Sequence, residues 1–177
     1  MGWQEEVLAF WFGLEPEQWW KSDPELDAQV RERFEELWGE ARENVPGHFL
    51  GGARDALAAV ILFDQFPRNM FRGHADQFST DPLALAIAKG AVARGLDRSL
   101  SPQERGFLYM PFQHSENLAD QRRSLALFTA LGDSYQLGFA QKHHDVIARF
   151  GRFPHRNAVL GRKPRAEEIA AGDVVPW

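Results

Sequence analysis

The chain has no cysteine, which removes disulfides, thiolate zinc sites and cysteine nucleophiles at once and fits a reducing, cytoplasmic setting. It lacks any apolar run near the ~20 residues that a membrane span needs. Its start, Met1-Gly2-Trp3-Gln4-Glu5-Glu6, carries acid where a signal peptide carries base. Both absences point away from secretion and from a membrane partner. No stretch of four or more residues alternates as a strand would, and no regular 34-residue repeat is visible. A formal net charge of -5 argues against nucleic acid as a partner, because phosphate neutralisation requires a broad basic surface.

What is present suffices for one domain over residues 1–177. The 177 residues are 44% hydrophobic and 25% charged, and a chain of this length buries roughly two thirds of its unfolded surface. Helix punctuation is legible throughout. Asp23-Pro24-Glu25 places a capping Asp before a Pro at the first helical position, and predicts a helix from Pro24 to Glu43. Its buried stripe is Val30, Phe34, Leu37 and Ala41. Asp81-Pro82 starts a second helix that Arg94-Gly95 ends. Ser101-Pro102-Gln103-Glu104 holds a capping box, and a further helix is expected from Ser115, as its cap, to Leu131, where Gly132 stops it. Glu5–Phe12, Ala53–Phe63 and Tyr135–Phe150 also read as helices. The fold class is therefore all-α, with about eight helices in a compact domain.

An internal echo links Phe63-Asp64-Gln65-Phe66-Pro67-Arg68-Asn69 with Phe150-Gly151-Arg152-Phe153-Pro154-His155-Arg156-Asn157. Both copies are expected to close a helix, Pro disfavouring helical geometry in the residue before it. The second copy opens the one strongly basic stretch, Arg149 to Arg165, which has six Lys/Arg and no Asp or Glu.

These motifs, with Val7-Leu8-Ala9-Phe10-Trp11-Phe12-Gly13, Trp19-Trp20, Phe71-Arg72-Gly73, Phe107-Leu108-Tyr109-Met110-Pro111, His114-Ser115-Glu116, Asp120-Gln121 and Leu160-Gly161-Arg162, resemble a bacterial family known only as domain of unknown function 924. The likeness spans nearly the whole chain. It implies a helical fold related to the tetratricopeptide superhelix and confers no activity. Where family members usually carry Ser-Thr before the last Glu-Glu, this chain reads Lys163-Pro164-Arg165-Ala166, which leaves the capping of its final helix open.

The candidate chemistry lies in one constellation: Asp64, Arg68, Arg72, His114, Glu116, Asp120, Arg149, Arg152, His155, Arg156, Asn157 and Arg162. Its six arginines outnumber its three carboxylates. Guanidinium forks suit a carboxylate or phosphate held at two points, so one reading is a pocket for a small anionic molecule. Glu116 and Asp120, four apart on one expected helix face, and His114 are then its acid/base groups if the protein is an enzyme. The other reading is a structural ion-pair network without a ligand. A metal site on His114, Glu116, Asp120 and His143 or His144 is disfavoured, since no His-Glu-x-x-His occurs and adjacent histidines point about 100° apart on a helix. A Ser115-centred triad has only adjacency to support it. No cofactor is indicated.

The aromatic group Trp3, Phe10, Trp11, Phe12, Trp19 and Trp20 reads mainly as core, with one of the last two tryptophans facing outward. A helical adaptor that docks a peptide or protein in a groove is the alternative function, by analogy of fold.

Overall fold

The computed structural model describes residues 2–176. Nine α-helical segments occur among them: α1 (Trp3–Phe12), α2 (Pro24–Ala41), α3 (Ala53–Val60), α4 (Phe66–Met70), α5 (Asp81–Ala93), α6 (Pro102–His114), α7 (Leu118–Leu131), α8 (Ser134–Phe150) and α9 (Ala166–Ala171). A π-helical turn, Ile61–Gln65, joins α3 to α4, so the nine make eight rods. No strand occurs among the described residues, and no helix among them is long and apolar enough to cross a membrane. The chain forms two compact units, Met1–Leu108 and Tyr109–Trp177.

The predicted caps explain most of the boundaries. Asp23 accepts from the backbone N–H groups of Glu25 and Leu26, at 2.9 and 3.4 Å. Ser101 and Glu104 exchange the two bonds of a capping box. Gly95 and Gly132, at φ 69° and 79°, adopt the left-handed geometry that ends α5 and α7 without a Cβ penalty. On α2 the buried residues are Leu26, Val30, Phe34 and Trp38, so Trp38 replaces the expected Leu37 and Ala41 at the centre of the stripe.

The first unit is built on aromatic side chains. Phe34 lies 4.5 Å from Phe66 and 5.2 Å from Phe10, ring centre to ring centre. Trp11 meets Phe66 and Phe107 edge to face at 5.8 and 5.6 Å. Trp19 is held by its indole N–H on the Trp11 carbonyl, whereas Trp20 stacks on Phe107 and stays 53% exposed, as expected for one of that pair.

The expected helix end at Phe63 does not occur. Pro67 has no N–H to donate, and its ring would crowd the carbonyl of Phe63 in a regular α-helix. The π turn before it widens the rod instead, which lets the helix run on to Met70. The Phe63 carbonyl accepts from the Thr80 hydroxyl at 2.7 Å, and the same hydroxyl accepts from the Trp38 indole N–H at 3.1 Å. Thr80→Val keeps the shape and removes both bonds, so urea unfolding of that variant is expected to show a loss of about 2 kcal/mol. A loss below about 0.5 kcal/mol would mean that the Thr80 bridge contributes little.

In the second unit α7 and α8 pack on one another as a helical hairpin across Gly132, with Leu127, Phe128, Ala140 and Ile147 buried. α7 begins at Leu118, not at Ser115, and its cap is Asn117, whose side chain accepts from the Ala119 N–H at 2.8 Å. Ser115 is three residues from the first helical position that it was expected to cap at close range. It serves the connection instead: its Oγ donates to Asp120 and accepts from the Asn117 N–H. The side chain of Gln121 donates to the carbonyls of Gln113 and Ser115, at 2.6 and 2.7 Å.

Candidate functional site

Within the first unit Asp64, fully buried, accepts from the Gln65 side chain at 2.6 Å. Arg68 donates to the Asp64 carbonyl and forks onto both oxygens of Asp81 at 2.8 and 3.0 Å. Burial works against the Arg68 charge, and Asp64 and Asp81 more than reverse it, so its pKa rises. Arg72 forks onto Asp27 at 2.7 and 2.9 Å, and Asn69 donates to the same carboxylate at 2.8 Å. Asp27 and Asp81, one on α2 and one opening α5, were not in the sequence-based set.

Within the second unit the same chemistry recurs. Arg152 forks onto Glu168 at 2.6 and 2.8 Å, and Asn157 donates to Glu168 at 2.9 Å. Each copy of the echo thus sends its asparagine amide to a carboxylate that an arginine already clasps. Only the second copy closes a helix: α8 ends at Phe150 and Gly151 turns the chain at φ 67°. Glu168 also accepts from the Arg165 N–H at 2.8 Å, which supplies the start of α9 from inside the helix in place of a Ser or Thr cap. With the Arg152 guanidinium foremost among these donors, the Glu168 carboxyl is pulled down to about 2.

Glu116 and Asp120 do not share a helix face, because Glu116 precedes α7. Asp120 takes the Ser115 hydroxyl at 2.8 Å. Glu116 forms a bidentate pair with Arg162 at 2.7 and 2.9 Å and accepts from the Phe153 N–H at 2.7 Å. Arg162 also donates to the Phe153 carbonyl and the Asn157 side chain, each at 2.9 Å. Partial burial would raise the Glu116 pKa, but Arg162 and the Phe153 N–H outweigh it and Arg156 adds to them, so its carboxyl sits below the usual range.

The surplus of arginines in the sequence is largely met by Asp27, Asp81 and Glu168. Arg149 lies exposed on α8 with its guanidinium 4.7 Å from the Phe150 ring centre.

A different group gathers around Phe153, which is fully buried. His143 from α8 meets its ring edge to face at 5.6 Å, His155 lies 5.6 Å away, and the Arg156 guanidinium stands 4.6 Å from its centre. Arg156 donates to the His114 carbonyl at 3.0 Å, and the His114 and His143 rings are 6.0 Å apart. Burial, then His114, Arg156 and His155, push the His143 imidazolium down to about 3, against the hydrogen bond to Phe139 that favours it. His143 is neutral at physiological pH. Sequence reading weighed it only as a metal ligand, since a lone imidazole on a helix carries no signal of its surroundings.

Among the described residues no group of three or more His, Asp or Glu side chains is placed to hold a metal ion. An open groove of about 550 Å³ occurs in the first unit, between Leu8 and Phe12 of α1, Arg54 of α3 and Glu104 of α6. None of the sequence-predicted site residues lines it.

Residues 7–171 match the profile of a bacterial protein family of unknown function, DUF924. A solved structure of a protein of unknown function from Agrobacterium tumefaciens is similar to this chain, with a TM-score of 0.89, 39% sequence identity and 95% of each chain covered. No curated protein matches.

Proposed function

The chain belongs to the bacterial DUF924 family, whose description carries no activity, and we propose from the geometry that its second unit binds a small anion at His114, His143, His155 and Arg156. The observation that carries this is the gathering of two imidazoles and one guanidinium around the Phe153 ring, with a third imidazole, His114, 6.0 Å from His143. Arg156 carries a permanent positive charge that opposes protonation of His143, and an oxyanion beside it offsets that charge. The basic stretch from Arg149 to Arg165 draws an anion towards the same segment.

Arg152, Arg162, Arg68 and Arg72 take a different part in this reading. Each sits in a carboxylate fork, and in this reading they hold the scaffold, while the ligand is assigned to Arg156 and the histidines for their place beside Phe153 and His143. Glu116 belongs with the scaffold too, because a carboxyl held below its ordinary range is ionised at neutral pH and has no proton to give. Acid/base chemistry has its better support at the imidazoles.

The test is a titration of uniformly 15N-labelled protein with inorganic phosphate, followed at the imidazole resonances. Saturable shifts of His114, His143 and His155 together are expected, weakened about tenfold in His155→Asn, as for the loss of one charge-assisted hydrogen bond. Imidazole resonances that stay still at tens of millimolar phosphate would rule the anion site out.

A further inference from the structure

We propose that the open groove of the first unit binds a small primary alkylammonium ion, its charge on the Glu104 carboxylate and its chain along α1. The groove shares no residue with the anion site of the second unit.

Leu8, Ala9 and Phe12 of α1 line this groove together with three charged side chains, Glu5, Arg54 and Glu104. Its volume of about 550 Å³ is in the range that small organic molecules fill. Arg54 is committed within it: Nε and Nη2 fork onto the two oxygens of Glu5 at 2.9 and 2.8 Å. Those two groups satisfy one another, and neither calls for a ligand.

Glu104 differs. Its Oε2 accepts from the Ser101 N–H at 2.8 Å as its part of the capping box. Its Oε1 has the Arg54 Nη1 at 3.7 Å, an ion pair beyond hydrogen-bond reach. The Glu104 side chain is also the most enclosed of the three, 22% exposed against 50% for Glu5 and 53% for Arg54. A carboxylate oxygen partly withdrawn from water gains most from a donor that a ligand brings.

The end of α1 adds to the demand for a cation. Gly13, the first residue past that helix, lines the same groove, and the last carbonyls of a helix form the negative end of its dipole. No basic residue stands in the last turn of α1 to offset it. With two carboxylates to one guanidinium among the lining residues, the charge that suits the groove is positive. An ammonium suits it better than a guanidinium, whose planar fork looks for two free oxygens where Glu104 has one. The apolar side chains of α1 then take a short hydrocarbon chain.

The experiment titrates 15N-labelled full-length protein with n-butylammonium chloride and, separately, with 1-butanol, at pH 7.5 and constant ionic strength. An alkylamine is protonated there, as a lysine side chain is. Saturable shifts of the backbone amides of Leu8, Ala9, Gly13 and Gln103 are expected with the ammonium, at an affinity at least about tenfold above that for the alcohol. Glu104→Gln keeps an acceptor for the Ser101 N–H, since glutamine also serves in a capping box. It is expected to weaken the ammonium about tenfold and to leave the alcohol unchanged. Amides that stay still at tens of millimolar ammonium, or equal affinities for ammonium and alcohol in the natural protein, would overturn the site. An ammonium affinity unchanged in a folded Glu104→Gln would overturn it as well. The ammonium and alcohol titrations of the natural protein decide the matter even if the variant does not fold, and their outcome leaves the anion site of the second unit untouched.

Discussion

Lowering the pH from 6.5 to 4.5 is expected to cost the folded protein about 2–3 kcal/mol through His143 alone, at about 1.4 kcal/mol per unit of pKa difference. In the unfolded chain this imidazole takes up a proton as the pH falls below 6.5, while in the fold it stays neutral down to about 3. The unfolded state thus binds more protons across that window, and stability rises with pH wherever this holds. It is full above 6.5 and declines steadily as the pH falls towards 3. Urea unfolding at pH 7, 6, 5 and 4.5 measures the slope, and His143→Gln should flatten it. The carboxyls of Glu116 and Glu168 are both held low, and they add their own losses only below about 4.5, equally in both proteins. Identical slopes above pH 4.5 would show that the fold does not hold His143 neutral.

Much of the helical architecture was legible because its signals are local. Asp23 before Pro24, the Ser101–Glu104 box and Gly132 each act within four residues, and each does so in the structure. Two local signals misled for physical reasons. Pro67 marked a helix end by its missing N–H and its ring, but a π turn accommodates the ring and Thr80, from seventeen residues away in sequence, takes up the Phe63 carbonyl. Ser115 looked like a cap, but Asn117 stands closer to the first turn and has the same kind of acceptor.

The site was legible by residue type and not by pairing. Counting arginines against carboxylates within the motifs gave an excess, because Asp27, Asp81 and Glu168 lie outside those motifs and reach their arginines only in the fold. His143 could not be singled out at all. Its environment is made by His114, 29 positions earlier, and by His155 and Arg156, 12 and 13 positions later, and no spacing rule connects them. The echo, read as two helix ends, turned out to preserve a bonding pattern: Asn69 and Asn157 each donate to a carboxylate held by an arginine fork.

Breaking the Glu116–Arg162 pair from one side is expected to cost about 3 kcal/mol, at the low end for a buried pair because both side chains keep about a quarter of their surface exposed. Glu116 and Arg162 bind the N–H and the carbonyl of Phe153 respectively, so together they fix the residue whose ring His143, His155 and Arg156 surround. Arg162→Met leaves the carboxylate without its counter-ion. Glu116→Gln leaves the guanidinium so. The double variant removes both charges while its glutamine can still accept from Phe153, and should recover about 1–2 kcal/mol of the summed loss as coupling energy in urea unfolding. Phosphate binding should not recover with it, because the Arg162 bond to the Phe153 carbonyl is then gone and only the Arg156 N–H, at 3.1 Å, still holds that side. Additive losses would mean that the pair is not an anchor. Recovered stability with unimpaired phosphate binding would separate the anchor from the histidine site, and place the control of Phe153 elsewhere in the segment.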